Sequence, residues 1–346
     1  MRLTWKNKPQ DVNYRDHCDE DLVRKLNKLP SNKWIDILIH SENTTAVSSL
    51  LNSSFKNTVD NYGGVKLIYI DPPFLTGKSQ MMKKDEVEKV AFDDKYNNSF
   101  EEYLSQIFVH LSLLKNILSE AGSIYIHVDY RTSSYIKVIM DEIFGSHNLK
   151  GYIIWNIDNG AKSRKFWSNQ HNDILVYSKT NKFTFNTESE FLKTQFSDVS
   201  LKTHFRKIDQ DGRNYRERKI NSKTYKYYAD EGKLVGSVWN DLKSMKANSP
   251  LMKEYTPYPT QKPISLLNRI ISASSDPGDI ILDTFCGSGT SLIVATNLNR
   301  KWIGVDIGDQ SISTINKRMD DKTYQLINSN YKLEKRDLNE FNIPWR

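Results

Sequence analysis

The chain has 346 residues, 38% of them hydrophobic and 11% aromatic, which suits one large α/β domain with an insertion, or two ordinary domains, and excludes wholesale disorder. A formal charge of +7 and a pI near 9.0 favour polyanionic partners. With only Cys18 and Cys286, no apolar signal core at the start and no stretch approaching a membrane span, a reduced, cytoplasmic protein with no membrane partner is expected.

Residues 1–33 form a polar lead-in, helical in part and ending near Pro30. WIDILIH (34–40) is a short apolar run, and the following SENTTAVSSLLNSSF predicts a helix opened by Ser41 or Asn43. After Gly63-Gly64, VKLIYI (65–70) has the continuous apolar character of a buried parallel strand, completing a βαβ unit. Residues 75–98 are polar and predict a long loop, of the kind that carries function. A helix (99–119), amphipathic through Tyr103, Ile107, Leu111, Leu114 and Leu118, leads to the strand SIYIHV (123–128), a helix (132–143) and strands at 152–156 and 173–178.

From about 182 to 256 the pattern gives way to polar, basic and aromatic sequence. Alternation resumes with a helix (263–274), DIILDTF (279–285), a helix (289–299), KWIGVD (301–306) and a last helix (309–320) before a tail. The order predicts one doubly wound α/β sheet interrupted by an insertion, with ligands at the carboxyl ends of the strands.

DTFCGSGT (283–290) joins a strand to a helix; Gly287 and Gly289 permit a tight turn and close approach to a ligand at the helix N-terminus. It is not a P-loop, because no lysine follows Gly289. Thr76-Gly77-Lys78-Ser79 imitates the ending of one, but Pro72 stands where its first glycine belongs. The three-glycine dinucleotide spacing is absent as well. Asp306, closing the next strand, can accept both hydroxyls of a ribose; a tight turn beside a surface acid is the plainer alternative.

Asp71-Pro72-Pro73-Phe74 follows VKLIYI directly. The prolines fix φ and remove two donors, leaving an acid and a preset carbonyl as acceptors for an amino group, with Phe74 as a stacking surface. Taken alone, the motif reads equally well as a turn.

Together, LIYIDPPF and LDTFCGSGT resemble the amino-methyltransferases of DNA, in the class whose catalytic motif precedes the cofactor motif. YPTQKP (258–263) is similar to the segment these enzymes place before the cofactor strand. GSIYIHVDYRTSSYIKVIMDEIFG looks closest to the branch of restriction-modification and solitary adenine methylases. The resemblance implies a seven-stranded, mostly parallel, Rossmann-like methyltransferase sheet spanning 34–180 and 256–320, a target-recognition insertion at 181–255 and a tail at 321–346.

It further implies S-adenosylmethionine as cofactor and methyl transfer to an exocyclic amino group of an extruded base in duplex DNA. Asp71 and the Pro72 carbonyl would accept hydrogen bonds from that amino group within the turn set by Pro73, and Phe74 would stack on the base. Asp283, Phe285, Gly287, Gly289 and Thr290 would shape the cofactor cleft, Asp306 would take the ribose hydroxyls, and Lys262 and Pro263 would close the methionine end. Glu42 would reach the adenine amino group of the cofactor or cap the following helix. His127 and Asp129 would line the pocket or serve structure.

The acid at position 71 points to adenine N6. Cytosine N4 in the same fold and a catalytically silent DNA-binding relative are the alternatives, and RNA or protein substrates stay open. A cognate restriction endonuclease and a homodimer are further partners the resemblance allows; no metal is expected. Residues 201–235 hold ten Lys/Arg against five acids, interleaved with aromatics: alone a solvated basic surface, and beside the resemblance cations to hold a DNA backbone and aromatics to fill the gap of a flipped base. Arg213, Arg216 and Arg218 are the candidate DNA contacts.

Overall fold

A computed structural model describes residues 2–74, 79–84, 87–93, 100–157, 163–245, 254–319 and 323–329. In chain order, α1 (Glu20–Leu26), β1 (Asp36–His40), α2 (Asn43–Asn52), α3 (Phe55–Asn61) and β2 (Val65–Ile70) precede a hairpin of β3 (Ser79–Lys84) and β4 (Val87–Asp93). Next come α4 (Phe100–Ile117), β5 (Leu118–Val128), α5 (Ser133–Phe144), β6 (Leu149–Asn156) and β7 (His171–Ser178). The intervening region holds β8 (Lys193–Thr194), α6 (Asp198–His204), β9 (Lys207–Ile208), β10 (Asn214–Ile220), β11 (Lys223–Tyr228), β12 (Lys233–Leu234) and β13 (Val238–Trp239). The chain returns with α7 (Ile264–Ser274), β14 (Ile280–Asp283), α8 (Thr290–Asn297), β15 (Lys301–Asp306), α9 (Asp309–Arg318) and β16 (Tyr324–Asn328).

The main sheet has the order β13-β6-β7-β5-β2-β14-β15-β1-β16. The seven apolar runs expected as strands all lie in it. The sheet is nine-stranded among the described residues, because β13 and β16 extend its two edges. Both edge strands lack an apolar run: β13 has two residues, and β16 buries only Tyr324 and Ile327. The pairing is parallel except around β7, which runs antiparallel to both β5 and β6.

Strand alternation sends side chains into two cores. Ile68, Ile70, Ile124, Ile126 and Leu282 meet α2, α4 and α5 on one face. Leu67, Tyr69, Tyr125, Ile281 and Trp302 meet α7, α8 and α9 on the other. Helices cover both faces, as a doubly wound fold requires. Each fully buried Ile or Leu here contributes about 1.5–3 kcal/mol relative to exposure.

Two expectations are corrected. Residues 75–98, read as a loop, contain the β3–β4 hairpin, whose apolar residues Met81, Met82, Val87, Val90, Ala91 and Phe92 do not alternate with polar ones. Residues 324–328, read as tail, pair in parallel with β1.

Candidate active site

β2 lies between β5 and β14, with Ile70 opposite Ile126 and Ile68 opposite Leu282. Parallel pairing therefore carries Asp71, His127 and the Asp283–Phe285 turn out of the sheet side by side. The two motifs are distant in sequence, yet they occupy neighbouring strand ends, where doubly wound folds place their ligands.

Lys262 Nζ donates a hydrogen bond to Asp71 Oδ2, and both side chains are largely buried. His127 Nδ1 lies 3.8 Å from Asp71 Oδ1 and 3.1 Å from Tyr69 Oη, while Asn172 donates to His127 Nε2 at 2.9 Å. Burial holds His127 well below the usual imidazole range, and the Lys262 charge lowers it further. The ring is neutral, and with Nε2 accepting, its proton sits on Nδ1, facing Tyr69 and Asp71. The ring also packs 5.9 Å from Phe74 and 5.5 Å from Trp155, centroid to centroid.

Lys262 reaches Asp71 because its own segment is held rigidly. Gln261 Oε1 accepts from Thr256 N at 2.8 Å, Gln261 Nε2 donates to Glu254 O at 2.6 Å, and Glu254 Oε2 accepts from Ile264 N at the start of α7. Pro263 is the N-cap residue of α7. Lys262, expected at the cofactor's methionine end, touches the acid of the other motif.

In the glycine loop, Gly287 (φ +50°) passes beneath Tyr258, and a Cβ there would come 3.2 Å from that ring. Gly289 (φ +77°) opens α8 in the left-handed region, and a Cβ would meet Ile315 Cγ1 at 2.7 Å. Asp283 accepts from Phe285 N at 3.0 Å and from Ser291 Oγ. Its carboxyl is pushed up to about 7, first by burial, with the Asp71 and Asp306 charges adding. Asp306 accepts from Gly287 N at 2.7 Å and Gly308 N at 2.9 Å; burial raises it too. Thr290 is buried, its Oγ1 accepting from Arg318 at 3.1 Å. Asp283, Gly289 and Thr290 thus build the loop from below.

A cleft of about 430 Å³ opens beside this loop, within the usual small-molecule range. Glu42, Pro72, Pro73 and Phe285 line it, and α4 adds a wall that includes Tyr103 and His110. Glu42, and neither Ser41 nor Asn43, is the N-cap of α2, one of the two roles read for it: its Oε2 accepts from Thr45 N at 2.7 Å. It caps the helix and lines the cleft at once. His110 donates to or accepts from Thr284 Oγ1 at 2.8 Å and stands edge-on to Phe285, 5.3 Å between centroids. Desolvation lowers it to about 4, so it is neutral near pH 7.

Sequence reasoning missed His110 and Tyr258 and left His127 undecided. The signal for His127 was its position at the end of a strand; for His110, nothing in the helical period indicated which turn met the cleft. Asp129 is structural: its Oδ1 accepts from Arg131 N at 3.0 Å and its side chain pairs with the Arg131 guanidinium as α5 begins.

In the insertion, β9, β10 and β11 form an antiparallel ribbon turned at Asn221 and Ser222, both at positive φ. The three candidate arginines have different surroundings. Arg213 pairs with Asp230 through two nitrogens (2.9 and 2.7 Å) and with Glu231 at 3.0 Å, stacked 3.9 Å over Tyr228. Arg216 lies over Phe196, Phe205 and Tyr227 at 5.1–5.5 Å. Arg218 is exposed, opposite Tyr225 on the face that also carries Ile220 and Lys223.

The insertion is pinned to α7. Arg269, buried, donates to Phe191 O at 2.9 Å and to Asp241 Oδ1 at 3.0 Å, and Asn186 Nδ2 donates to Ser272 O and Ser275 O. β13 then joins the main sheet beside β6.

The acid-Pro-Pro-aromatic turn and the glycine loop thus lie on adjoining strand ends of a doubly wound α/β sheet, where such folds bind ligands. The DNA methylase family N6_N4_Mtase matches residues 65–317, a span containing both motifs, and the chain belongs to that family. The Type II methyltransferase M.EcaI of Enterobacter cloacae is 29% identical over 324 residues, covering 81% of this chain and 68% of that protein. The DNA adenine methyltransferase YhdJ of Escherichia coli K12 is 29% identical over 275 residues, covering 79% and 82%. Among solved structures, the M1.HpyAVI–SAM complex aligns over 82% of this chain and 100% of that one, with 20% identity and a TM-score of 0.45. No helix among the described residues is long and apolar enough to cross a membrane.

Proposed function

We propose that the chain transfers a methyl group from S-adenosylmethionine to adenine N6 in duplex DNA, acting on a base extruded from the helix. The observation that carries this is the shared wall: Pro72, Pro73 and Phe285 line one cleft, so the amino-accepting turn and the glycine loop serve a single space. The residues fit the cofactor. Glu42 lines the cleft with an acid and Phe285 with a flat apolar face, and Asp306 is tied to the same loop through Gly287 N.

When bound, S-adenosylmethionine would supply an electrophilic methyl, its S–C bond breaking to leave the neutral thioether as the new N–C bond forms, while one proton of the amino group passes to solvent. Asp71 and the Pro72 carbonyl accept hydrogen bonds from the target amino group and aim its lone pair along the transfer line. Phe74 stacks on the base, and Lys262 holds the Asp71 carboxylate through Oδ2. Catalysis is alignment and electrostatic stabilisation, with no covalent enzyme intermediate. Asp at the head of the motif and the adenine-specific relative YhdJ support adenine over cytosine.

The insertion at 181–255 is the target-recognition region in this proposal. The exposed face of its ribbon, with Arg218, Ile220, Lys223 and Tyr225, suits a two-stranded ribbon entering the major groove. Digesting methylated DNA to nucleosides tests the reaction. N6-methyladenine is expected; N4-methylcytosine would overturn the adenine assignment, and undiminished methylation by Asp71→Ala would overturn the catalytic one.

A further inference from the structure

β6 and β7 end and begin at the active-site edge of the sheet. Asn172 of β7 donates to His127, which stands 3.8 Å from Asp71, and Ile157 N donates to Gln170 O at the root of the connection between the two strands. Beyond that root, Ser163 and Ser168 close a small turn. Ser163 N donates to Ser168 Oγ at 2.7 Å, and Ser163 Oγ accepts from Lys165 N at 3.1 Å and Phe166 N at 3.3 Å. The turn presents Phe166 (71% exposed) and Trp167 (96% exposed) to solvent, beside the exposed Arg164 and Lys165.

Two adjacent large aromatics held outward by their own turn call for a partner, whereas one exposed aromatic would not. The flanking cations select a polyanion. Trp167 stands three positions before Gln170, at most about 11 Å of chain, or roughly three base-pair rises of B-form DNA. Through Asn172 and His127 the same segment is tethered to the end of the sheet that carries Asp71.

We propose that Trp167 is a wedge that enters the base stack and fills the gap left by the extruded base, with Arg164 and Lys165 on the flanking phosphates. This rests on the DNA-methylation function proposed above. An indole has the area to replace a base in the stack, and aromatic or apolar wedges stabilise unstacked duplex elsewhere. The wedge acts on base extrusion and leaves methyl transfer itself to Asp71 and its neighbours.

The test uses the full-length enzyme and a duplex carrying its mapped site. Single-turnover methylation is measured on the intact duplex and on one with an abasic site opposite the target, for wild type, Trp167→Ala and Trp167→Phe. The alanine variant should be slower by about tenfold or more on the intact duplex and by less than about threefold opposite the abasic site, where extrusion costs little. The phenylalanine variant should keep most of the rate. With 2-aminopurine at the target position, the fluorescence rise on binding should shrink for Trp167→Ala alone. Equal losses on both duplexes, or none on either, would overturn the wedge. A wild-type enzyme that methylates neither duplex would overturn the proposed function itself.

Discussion

Lys262 Nζ donates its hydrogen bond to Asp71 Oδ2 across 191 positions of sequence, joining the segment before α7 to the acid of the Asp-Pro-Pro-Phe turn. This hydrogen bond separates two roles for the lysine. If it positions Asp71, Lys262→Met should lower the methylation rate by roughly 10²-fold, the scale of removing one preorganised donor, with the KM for S-adenosylmethionine little changed. A rise in that KM with kcat intact would return Lys262 to the cofactor. An Asp71→Asn and Lys262→Met double variant should be impaired far less than the sum of the two single effects.

Gly289 has two reasons to remain glycine, its φ of +77° and the nearness of Ile315 Cγ1. Gly289→Ala should destabilise the protein by about 2–4 kcal/mol, from left-handed strain plus overpacking. Adding Ile315→Ala removes the clash but leaves the strain. Chemical denaturation of both variants should show Gly289→Ala costing less in the Ile315→Ala background.

The three arginines of the ribbon should behave differently. Arg218→Ala should weaken DNA binding and reduce the slope of log affinity against log salt by about 0.9, the share of a single neutralised phosphate. Arg213→Ala should leave that slope unchanged, because Asp230 and Glu231 already neutralise the guanidinium. Arg216→Ala should act through folding of the insertion, removing a cation held over three aromatic rings. Filter binding at several salt concentrations, together with thermal melts, distinguishes the three.

Asp283, with its carboxyl pushed up to about 7 from 3.8, makes stability depend on pH in a definite direction. Between about pH 4 and 7 the folded state keeps a proton that the unfolded state has released, so stability falls as pH rises. Above 7 both states are ionised and the effect levels off. Relative to Asp283→Asn, the wild type should lose up to about 1.4 kcal/mol per pH unit across that window. Urea titrations of both proteins at several pH values measure it; a difference independent of pH would mean that Asp283 is ionised when folded.

The sheet was legible from sequence wherever strands are buried on both faces, as VKLIYI and KWIGVD are. It was illegible where apolar residues do not alternate, as in β3 and β4, and where a strand is mostly exposed or only two residues long, as in β16 and β13. Asp71 and Phe285 could be singled out because their motifs are local. His127 could not be decided because its role depends on the register between β2 and β5, a relation between distant segments. His110 and Tyr258 arrive from a helix and a turn whose placement only tertiary packing determines. The arginines show the same limit within one strand: composition marked Arg213, Arg216 and Arg218 alike, and cross-strand neighbours made them different.

Arg269 holds Phe191 on one flank of the insertion and Asp241 on the other, and α7, which carries it, begins immediately after Lys262 and its cap Pro263. One short helix thus anchors both roots of the ribbon-bearing region and the residue that touches Asp71. Whatever the ribbon grips is gripped at a set span from the chemistry, much as a jig fixes work before a tool. Lengthening the chain between the ribbon and its anchors would then change which base along a bound strand comes to the turn, even with every side chain of the ribbon preserved.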